Sequence, residues 1–379
     1  MKNRPLGQLL LMGLPGAHID ENLLSFIRRV QPGGFILFGR NIQNPKQLRD
    51  LIDTLRKESR IEPIITIDQE GGRVSRLKLL GHEPPNARQL RQSGQEELIT
   101  RHGIITGKLL RLFGFNLDLC PVLDIAFDED ADNSLRGRCY GKSADEVIKL
   151  AGLFNQALQS TGILSCGKHF PGYSWAPNDP HYDLSALPRS RSELEANELK
   201  VFRHFATPRK STSEQLVPDN VVDSMMIGHI SYSQLDDSPF PASLSPTIVT
   251  QLLREEMNFQ GLVMTDDLDM GAIVHHYSFP EMLRLGLAAG NDLLMICHRS
   301  ELGEEALEHL ATFPEEQLDR ALQNIARFKE RMAPPDPFSL EAFHALDEEV
   351  WQLRVETLGE EEAKKRSPED GKRSPVEVY

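Results

Sequence analysis

Residues 261–267 read GLVMTDD, a short apolar run that ends in two carboxylates. Such a run, without strict polar alternation, is typical of a strand covered on both faces, as in parallel sheets. Similar runs recur along the chain, and together with this one they predict eight strands. The eight runs are Leu9–Met12, Gly34–Phe38, Pro63–Asp68, Phe115–Val122, Gly162–His169, Ser224–Ile230, Gly261–Asp266 and Asp292–His298.

The segments between these runs have helical periodicity and carry start signals. Capping residues precede the predicted helices at Asn44 (followed by Pro45), Ser143 (with Glu146), Ser192 (with Glu195) and Ser245 (followed by Pro246). Strand–helix alternation repeated about eight times indicates an α/β fold. No GxGxxG or Walker-type loop follows the early strands, which favours a single (β/α)8 TIM-type barrel over an open doubly wound sheet.

The end of the barrel is marked by a proline-rich break, PPDP, at positions 334–337. We therefore predict a catalytic barrel over residues 1–335 and a C-terminal helical extension over residues 336–358. Residues 359–379 are mostly Glu, Lys, Arg, Ser and Pro, a composition that predicts a disordered, charged tail.

Composition restricts the classes of partner. The formal net charge is −14 and the pI about 5.4, which argues against a nucleic-acid partner because such proteins present a basic face. No apolar stretch approaches the length of a membrane span, and the apolar run near the N-terminus is too short for a secretory signal. The four cysteines form no CxxC pair and are interpreted as free core thiols. We expect a cytoplasmic monomer or weak dimer that needs no cofactor.

Polar side chains gather where the predicted strands end. They are Asp68, Arg73 and Arg76 after the third strand, Lys168 and His169 on the fifth, His229 on the sixth, Asp266 on the seventh, and Asp179 and His181 in the loop after the fifth. Each has a simpler explanation taken alone, such as a helix cap for Asp266 or a satisfied core residue for His229. Because barrel enzymes carry their chemistry on this rim, the whole set indicates a site. Carboxylates beside cations suit a polyhydroxylated substrate.

Several motifs resemble those of the family 3 glycoside hydrolases, in particular the single-domain bacterial β-N-acetylhexosaminidases of peptidoglycan recycling. They are GGFILFGRNIQNPKQL, ITIDQEGGRVSRL, the RCYG stretch from Arg138, GKHFPG, NDPH, LREEMNFQGLVMTDDLDMGAI and AGNDLLMICH. The resemblance implies that Asp266 is the nucleophile and that Asp179 and His181 form an acid/base dyad. It also implies that the sugar-binding residues are Asp68, Arg76, Arg138, Lys168 and His169.

The resemblance implies a retaining hydrolase that releases β-linked N-acetylglucosamine through a covalent intermediate. Alternatives are a phosphorylase or β-glucosidase of the same family, or a barrel that binds glycans without cleaving them. Metal binding by His275-His276 is disfavoured because no further ligand stands at a suitable spacing. The sequence departs from the family at Tyr173-Ser174, where His-Gly is usual, and at Pro180 within the dyad, where Ser is usual.

One geometric requirement follows from the motif GKHFPG. Adjacent residues of a strand point to opposite faces, so Lys168 and His169 can both contact a sugar only if the fifth strand bends or bulges there.

Overall fold

The computed structural model describes residues 4–129, 134–175, 184–208 and 220–365. Its central sheet has eight parallel strands in the order β7-β6-β5-β4-β3-β2-β1-β8. The strands are β1 (Leu10–Gly13), β2 (Gly34–Leu37), β3 (Ile64–Ile67), β4 (Leu117–Asp118), β5 (Leu164–Phe170), β6 (Ser224–Ile227), β7 (Leu262–Thr265) and β8 (Leu294–Ile296). A parallel bridge between Met264 and Leu293 joins the two ends of this sheet. The predicted α/β class and TIM-type barrel are confirmed. Six strands lie inside their predicted runs, and β1 and β5 each extend one residue beyond theirs, to Gly13 and Phe170.

Helices follow the strands and surround the barrel. They are α1 (Glu21–Val30), α2 (Pro45–Glu58), α3 (Ala87–Ser93), α4 (Glu96–Phe113), α5 (Ala144–Ser160), α6 (Arg191–Ala196), α7 (Glu198–Ala206), α8 (Thr247–Glu256), α9 (Gly271–Val274), α10 (Phe279–Ala289), α11 (Gly303–Leu310), α12 (Glu315–Lys329), α13 (Leu340–Leu358) and α14 (Glu360–Ala363). Of these, α8 has π-helical hydrogen bonding. Two small two-stranded sheets, 69–71 with 74–75 and 185–186 with 230–231, lie outside the barrel.

The capping predictions are mostly confirmed. The side chains of Asn44 and Ser143 accept hydrogen bonds from backbone N–H groups of α2 and α5. Glu146 accepts from the backbone of Lys142 rather than from its predicted partner Ser143. The cap predicted at Ser192 is wrong: α6 begins after Ser190, which forms a capping box with Glu193, because the same Ser-x-x-Glu spacing occurs two residues earlier.

Alternation along the strands divides the apolar side chains between two layers. On β2, Phe35 and Leu37 belong to one hydrophobic cluster with Leu48 and other residues of α2. The intervening Ile36 faces the barrel interior, where the corresponding residues of neighbouring strands meet it. The interior is therefore a packed core, which supports the side chains at the carboxyl ends of the strands.

The C-terminal helix α13 is capped by Ser339 and packs on the barrel through Phe343, whose ring centroid lies 5.6 Å from that of Phe113. Disorder was expected from residue 359 onward, but residues 360–363 form α14 and Arg354 donates to the carbonyl oxygen of Ala363 at 2.9 Å. The buried guanidinium also contacts Glu83 and gives this segment a fixed partner.

All four cysteines are buried and free, as predicted. Among the described residues, no helix is both long and apolar enough to cross a bilayer.

Candidate active site

A pocket opens at the carboxyl ends of the barrel strands and encloses about 550 Å³ of empty space, including solvent at its mouth. Its floor is formed by apolar residues of the barrel interior, such as Leu119 and Met295. Of the eight residues to which the resemblance assigns a role, five line this pocket: Asp68, Arg138, Lys168, His169 and Asp266. His229, from the polar set at the strand ends, lines it as well. Arg76 is not among the lining residues, but its guanidinium lies 3.6 Å from the Asp68 carboxylate. Asp179 and His181 lie outside the described residues.

A network of buried charges forms one wall of the pocket. The ammonium of Lys168, a side chain only 1% exposed, lies 2.7 Å from the carboxylate of Asp68 and 2.6 Å from that of Glu70. Arg138 binds Glu70 in a bidentate fashion, with both nitrogen–oxygen distances 2.7 Å. Two cations and two anions, from β5 and from the segments that follow β3 and β4, are thus held together. We call Asp68, Glu70, Arg138 and Lys168 the charged cradle.

The contacts within the cradle fix the protonation states of Glu70 and Lys168. Burial by itself raises the pKa of Glu70, but the charges of Arg138 and Lys168 outweigh it and hold the pKa well below its ordinary value. Burial likewise lowers the pKa of Lys168, and the charges of Asp68 and Glu70 reverse this effect and raise it. Glu70 is therefore an anion and Lys168 a cation over the whole physiological pH range.

His169 stands beside Lys168 on the same wall. Its Nδ1 lies 2.8 Å from the carboxylate of Asp124, which also accepts the backbone N–H groups of His169 and Tyr173. The pairing of β5 with β6 shifts register between Gly167 and Phe170. This irregularity confirms the predicted bend and lets two consecutive side chains face the pocket.

Two neighbouring carboxylates at the end of β7 have different surroundings. Asp266 is half-buried, lines the pocket and accepts the backbone N–H of Asp267 at 2.8 Å. The Oδ1 atom of Asp267 accepts backbone N–H groups from Asp269 and Cys297 at 3.0 and 3.1 Å. Asp267 thus fastens the turn after β7 to the end of β8, while the carboxylate of Asp266 reaches the open pocket.

The departure from the family motif at Tyr173-Ser174 occupies a defined place, whereas Pro180 lies outside the described residues. The Tyr173 hydroxyl lies 2.7 Å from the Oγ of Ser134, and its ring is 4.8 Å from that of His169. Ser174 accepts the backbone N–H of Ile125 at 2.9 Å. Tyr173 therefore adds an aromatic wall to the pocket, and Ser174 ties the same loop to the one that follows β4.

Sequence reasoning did not assign three residues of this site. Glu70 stands inside the quoted ITIDQEGG motif, and its position two residues beyond Asp68 at a strand end was an available signal. Tyr173 was noted as a departure without a place in the site. Asp124 follows an apolar stretch with no motif of its own, and only the folded chain brings it to His169.

The described residues contain no group of three or more His, Cys, Asp or Glu side chains arranged to hold a metal ion. His275 and His276 are exposed and stand away from the lining of the pocket.

A closed parallel barrel with a charged pocket at the carboxyl ends of its strands defines a barrel enzyme. The family model for the glycosyl hydrolase family 3 N-terminal domain matches residues 3–328. The chain belongs to this family and is a glycoside hydrolase, which confirms the resemblance found in its motifs.

Individual relatives agree with this assignment. A β-hexosaminidase of Alkalilimnicola ehrlichii is 30% identical over 315 residues, covering 79% of this chain and 84% of that protein. The structure of a family 3 β-N-acetylglucosaminidase from Paenibacillus sp. is similar with a TM-score of 0.82 and 29% identity, over 94% of this chain and 69% of that one. A family 3 glycosyl hydrolase from Mycobacterium smegmatis gives a TM-score of 0.73 and 27% identity, over 88% and 97% of the two chains.

Proposed function

We propose that the protein is a retaining β-N-acetylglucosaminidase, which removes a terminal β-linked N-acetylglucosamine from a muropeptide or a related glycoside. The observation that carries the proposal is the half-buried Asp266 carboxylate, which lines the same pocket as Asp68, Arg138 and Lys168 of the charged cradle. The names of the relatives, β-hexosaminidase and β-N-acetylglucosaminidase, support the choice of sugar.

In the proposed first step, Asp266 attacks the anomeric carbon and forms a covalent glycosyl-enzyme while the leaving oxygen takes up a proton. The hydrogen bond from the Asp267 N–H restricts the rotation of the attacking carboxylate. Asp68, Arg138, Lys168 and His169 bind the sugar hydroxyls by charge-assisted hydrogen bonds, and Arg76 supports Asp68. Because their partners already fix them, they lose little freedom when sugar binds.

The proposed acid/base is His181, oriented by Asp179. Support comes from the sequence, where the NDPH motif follows GKHFPG at the spacing seen in the N-acetylhexosaminidase branch. Histidine has an unperturbed pKa of about 6.5 and can donate and then recover a proton near neutral pH. A histidine also avoids placing a second anion next to the nucleophile.

A mechanism-based inhibitor tests the nucleophile directly. We expect a 5-fluoro-N-acetylglucosaminyl fluoride to inactivate the enzyme with stoichiometric labelling, and peptide mapping to find the sugar on Asp266. The Asp266→Ala variant should take up no label. A label on Asp267, or full turnover without any trapped sugar, would contradict the proposal.

Release of free N-acetylglucosamine from an aryl β-glycoside tests the reaction class. We expect the rate and product to be unchanged by inorganic phosphate, because water is the proposed acceptor. Formation of a sugar 1-phosphate would indicate a phosphorylase, and preference for the aryl glucoside over the aryl N-acetylglucosaminide would indicate a β-glucosidase.

A further inference from the structure

His229 follows β6 and forms part of the pocket wall, although its side chain is almost completely buried. Its Nε2 lies 2.9 Å from the carbonyl oxygen of Asp267, and its Nδ1 lies 2.7 Å from the Oγ of Ser243. A carbonyl oxygen can only accept a hydrogen bond, so Nε2 carries a proton and donates it. Ser243 is itself fixed, because Asn291 donates to its carbonyl oxygen at 2.8 Å.

Residue 267 links this histidine to the carboxylate of Asp266. The N–H of Asp267 donates to Asp266 Oδ1 at 2.8 Å, while the carbonyl oxygen of the same residue accepts from His229. Its carboxylate accepts the backbone N–H of Cys297 at 3.1 Å, beyond the end of β8. Residue 267 is therefore held from both sides, by the segment after β6 and by the segment after β8.

We infer that His229 is a positioning residue for the nucleophile and acts through the peptide of Asp267. By holding the Asp267 carbonyl, it keeps the N–H of that residue aimed at the Asp266 carboxylate. This inference rests on the proposed role of Asp266. Attack on an anomeric carbon needs the carboxylate oxygen in line with the breaking bond, and a misplacement of about 1 Å costs a rate factor on the order of 10².

The hydrogen bonds of the His229 imidazole favour a positioning role over direct acid/base catalysis. The proton on Nε2 is directed at a backbone carbonyl, and Nδ1 is engaged by the Ser243 hydroxyl. A group that transfers protons to the substrate needs a ring nitrogen facing the leaving oxygen. His229 therefore contributes through geometry, and its replacement should leave the pH profile of the reaction unchanged.

Replacing His229 by asparagine or by glutamine distinguishes the two contacts that its imidazole ring makes. Asparagine places its terminal amide where Nδ1 of histidine lies and loses the contact with Asp267. Glutamine reaches the position of Nε2 and can still donate to the Asp267 carbonyl. His229→Asn and His229→Gln thus form a matched pair of polar substitutions that differ in the contact under test.

The measurement is the rate of covalent labelling by the 5-fluoro-N-acetylglucosaminyl fluoride, together with kcat, KM and the pH profile. We expect His229→Asn to slow labelling and kcat about 10²-fold with little change in KM. We expect His229→Gln to restore the rate to within about tenfold of wild type, since it keeps the donor. Neither variant should move a limb of the pH profile.

The same pair at His102 controls for replacing a buried histidine, because that side chain packs against Phe154 on α5 and is not among the residues that line the active-site pocket. His102→Asn and His102→Gln should label at equal rates. Thermal unfolding establishes that each variant is folded. If His229→Asn does not fold, a His229→Gln enzyme that labels no faster than about one hundredth of the wild-type rate overturns the inference.

Equal labelling by folded His229→Asn and His229→Gln also overturns it, as does a pH limb lost in both. These outcomes are distinct from failure of the proposed function. If wild type carries no label on Asp266, the nucleophile is misassigned. If Asp266 is labelled and the His229 pair is equal, only the positioning role fails.

Discussion

Two sides of the same pocket handle buried carboxylates in opposite ways. On the side of β3 and β5, Glu70 lies between Arg138 and Lys168, and its pKa is held well below the ordinary value. On the side of β7 and β8, burial and the nearby charge of Asp269 raise the pKa of Asp267 well above the ordinary value. Burial disfavours ionisation on both sides, so the two cations within 2.7 Å of Glu70 decide the outcome there.

The two sides are suited to two different functions, recognition of the sugar and presentation of a carboxylate. The charged cradle offers fixed charges with little freedom to rearrange, which is what recognition of sugar hydroxyls requires. The β7 side places a half-buried carboxylate at the pocket and keeps its neighbour in a structural role. Changes to these carboxylates should therefore differ in kind as well as in size.

The largest expected effect distinguishes the two adjacent aspartates. Asp266→Asn should reduce kcat about 10⁴-fold or more, because it removes the proposed nucleophile. Asp267→Asn should retain activity within about tenfold, since an amide oxygen can still accept the N–H groups of Asp269 and Cys297. Steady-state kinetics on an aryl N-acetyl-β-glucosaminide measure kcat for both variants. Equal loss in both variants would remove the functional distinction.

The next effect concerns the cradle. Glu70→Ala should lower the free energy of unfolding by about 3–5 kcal/mol at pH 7, because it leaves two buried cations without their shared partner. The pKa of Glu70 is depressed in the folded state, so its contribution is present above the unfolded pKa and is lost as pH falls through the folded one. Denaturant titration should therefore show a penalty that shrinks in acid.

An exposed ion pair provides the control for this measurement. Asp50 on α2 pairs with Lys46 at 2.5 Å, and both side chains are well exposed. Asp50→Ala should change stability little, as exposed pairs generally do. A Glu70→Ala variant as stable as Asp50→Ala would show that the cradle charges are less dependent on one another than their contacts indicate.

A buried carboxylate outside the pocket lining extends the comparison of Glu70 with Asp267. Glu198 at the start of α7 is buried, and among the described residues it forms no ion pair; burial raises its pKa to about 7. The ionised form is penalised, so wild-type stability should fall as pH rises from about 4.5 towards 7. Glu198→Gln should abolish this fall and be more stable than wild type by up to about 3 kcal/mol at pH 8. A variant with an unchanged pH dependence would contradict the assignment.

The smallest expected effect is the influence of Asp267 on stability. Its raised pKa means that the folded state holds a proton which the unfolded state releases, so wild-type stability should decline with rising pH. Asp267→Asn should flatten this decline and gain stability relative to wild type in alkaline solution. Chemical denaturation across the pH range would measure it. If Asp267→Asn were instead less stable than wild type at high pH, the Asp267 carboxylate would be stabilised in its ionised form, as that of Glu70 is.

The features that the sequence predicted share a local origin. Strand runs such as GLVMTDD, and the caps at Asn44 and Ser143, depend on residues within one or two turns of each other. Their periodicity is imposed by backbone geometry, which every strand and helix shares. The incorrect cap prediction at Ser192 shows how precisely such local signals place a helix start. The Ser-x-x-Glu spacing occurs twice, two residues apart, and the structure uses the earlier one.

The sequence alone thus determined the strands, their order along the barrel, the rim on which chemistry gathers and the family to which the motifs point. Only the tertiary structure decided which charges meet. Lys168 reaches Asp68 across 100 residues, Arg138 reaches Glu70 across 68, and His169 reaches Asp124 across 45. Those pairings depend on the parallel alignment of β3, β4 and β5 as neighbours in the sheet, which brings their carboxyl ends within hydrogen-bond range. Burial there excludes the water that would otherwise solvate the charges.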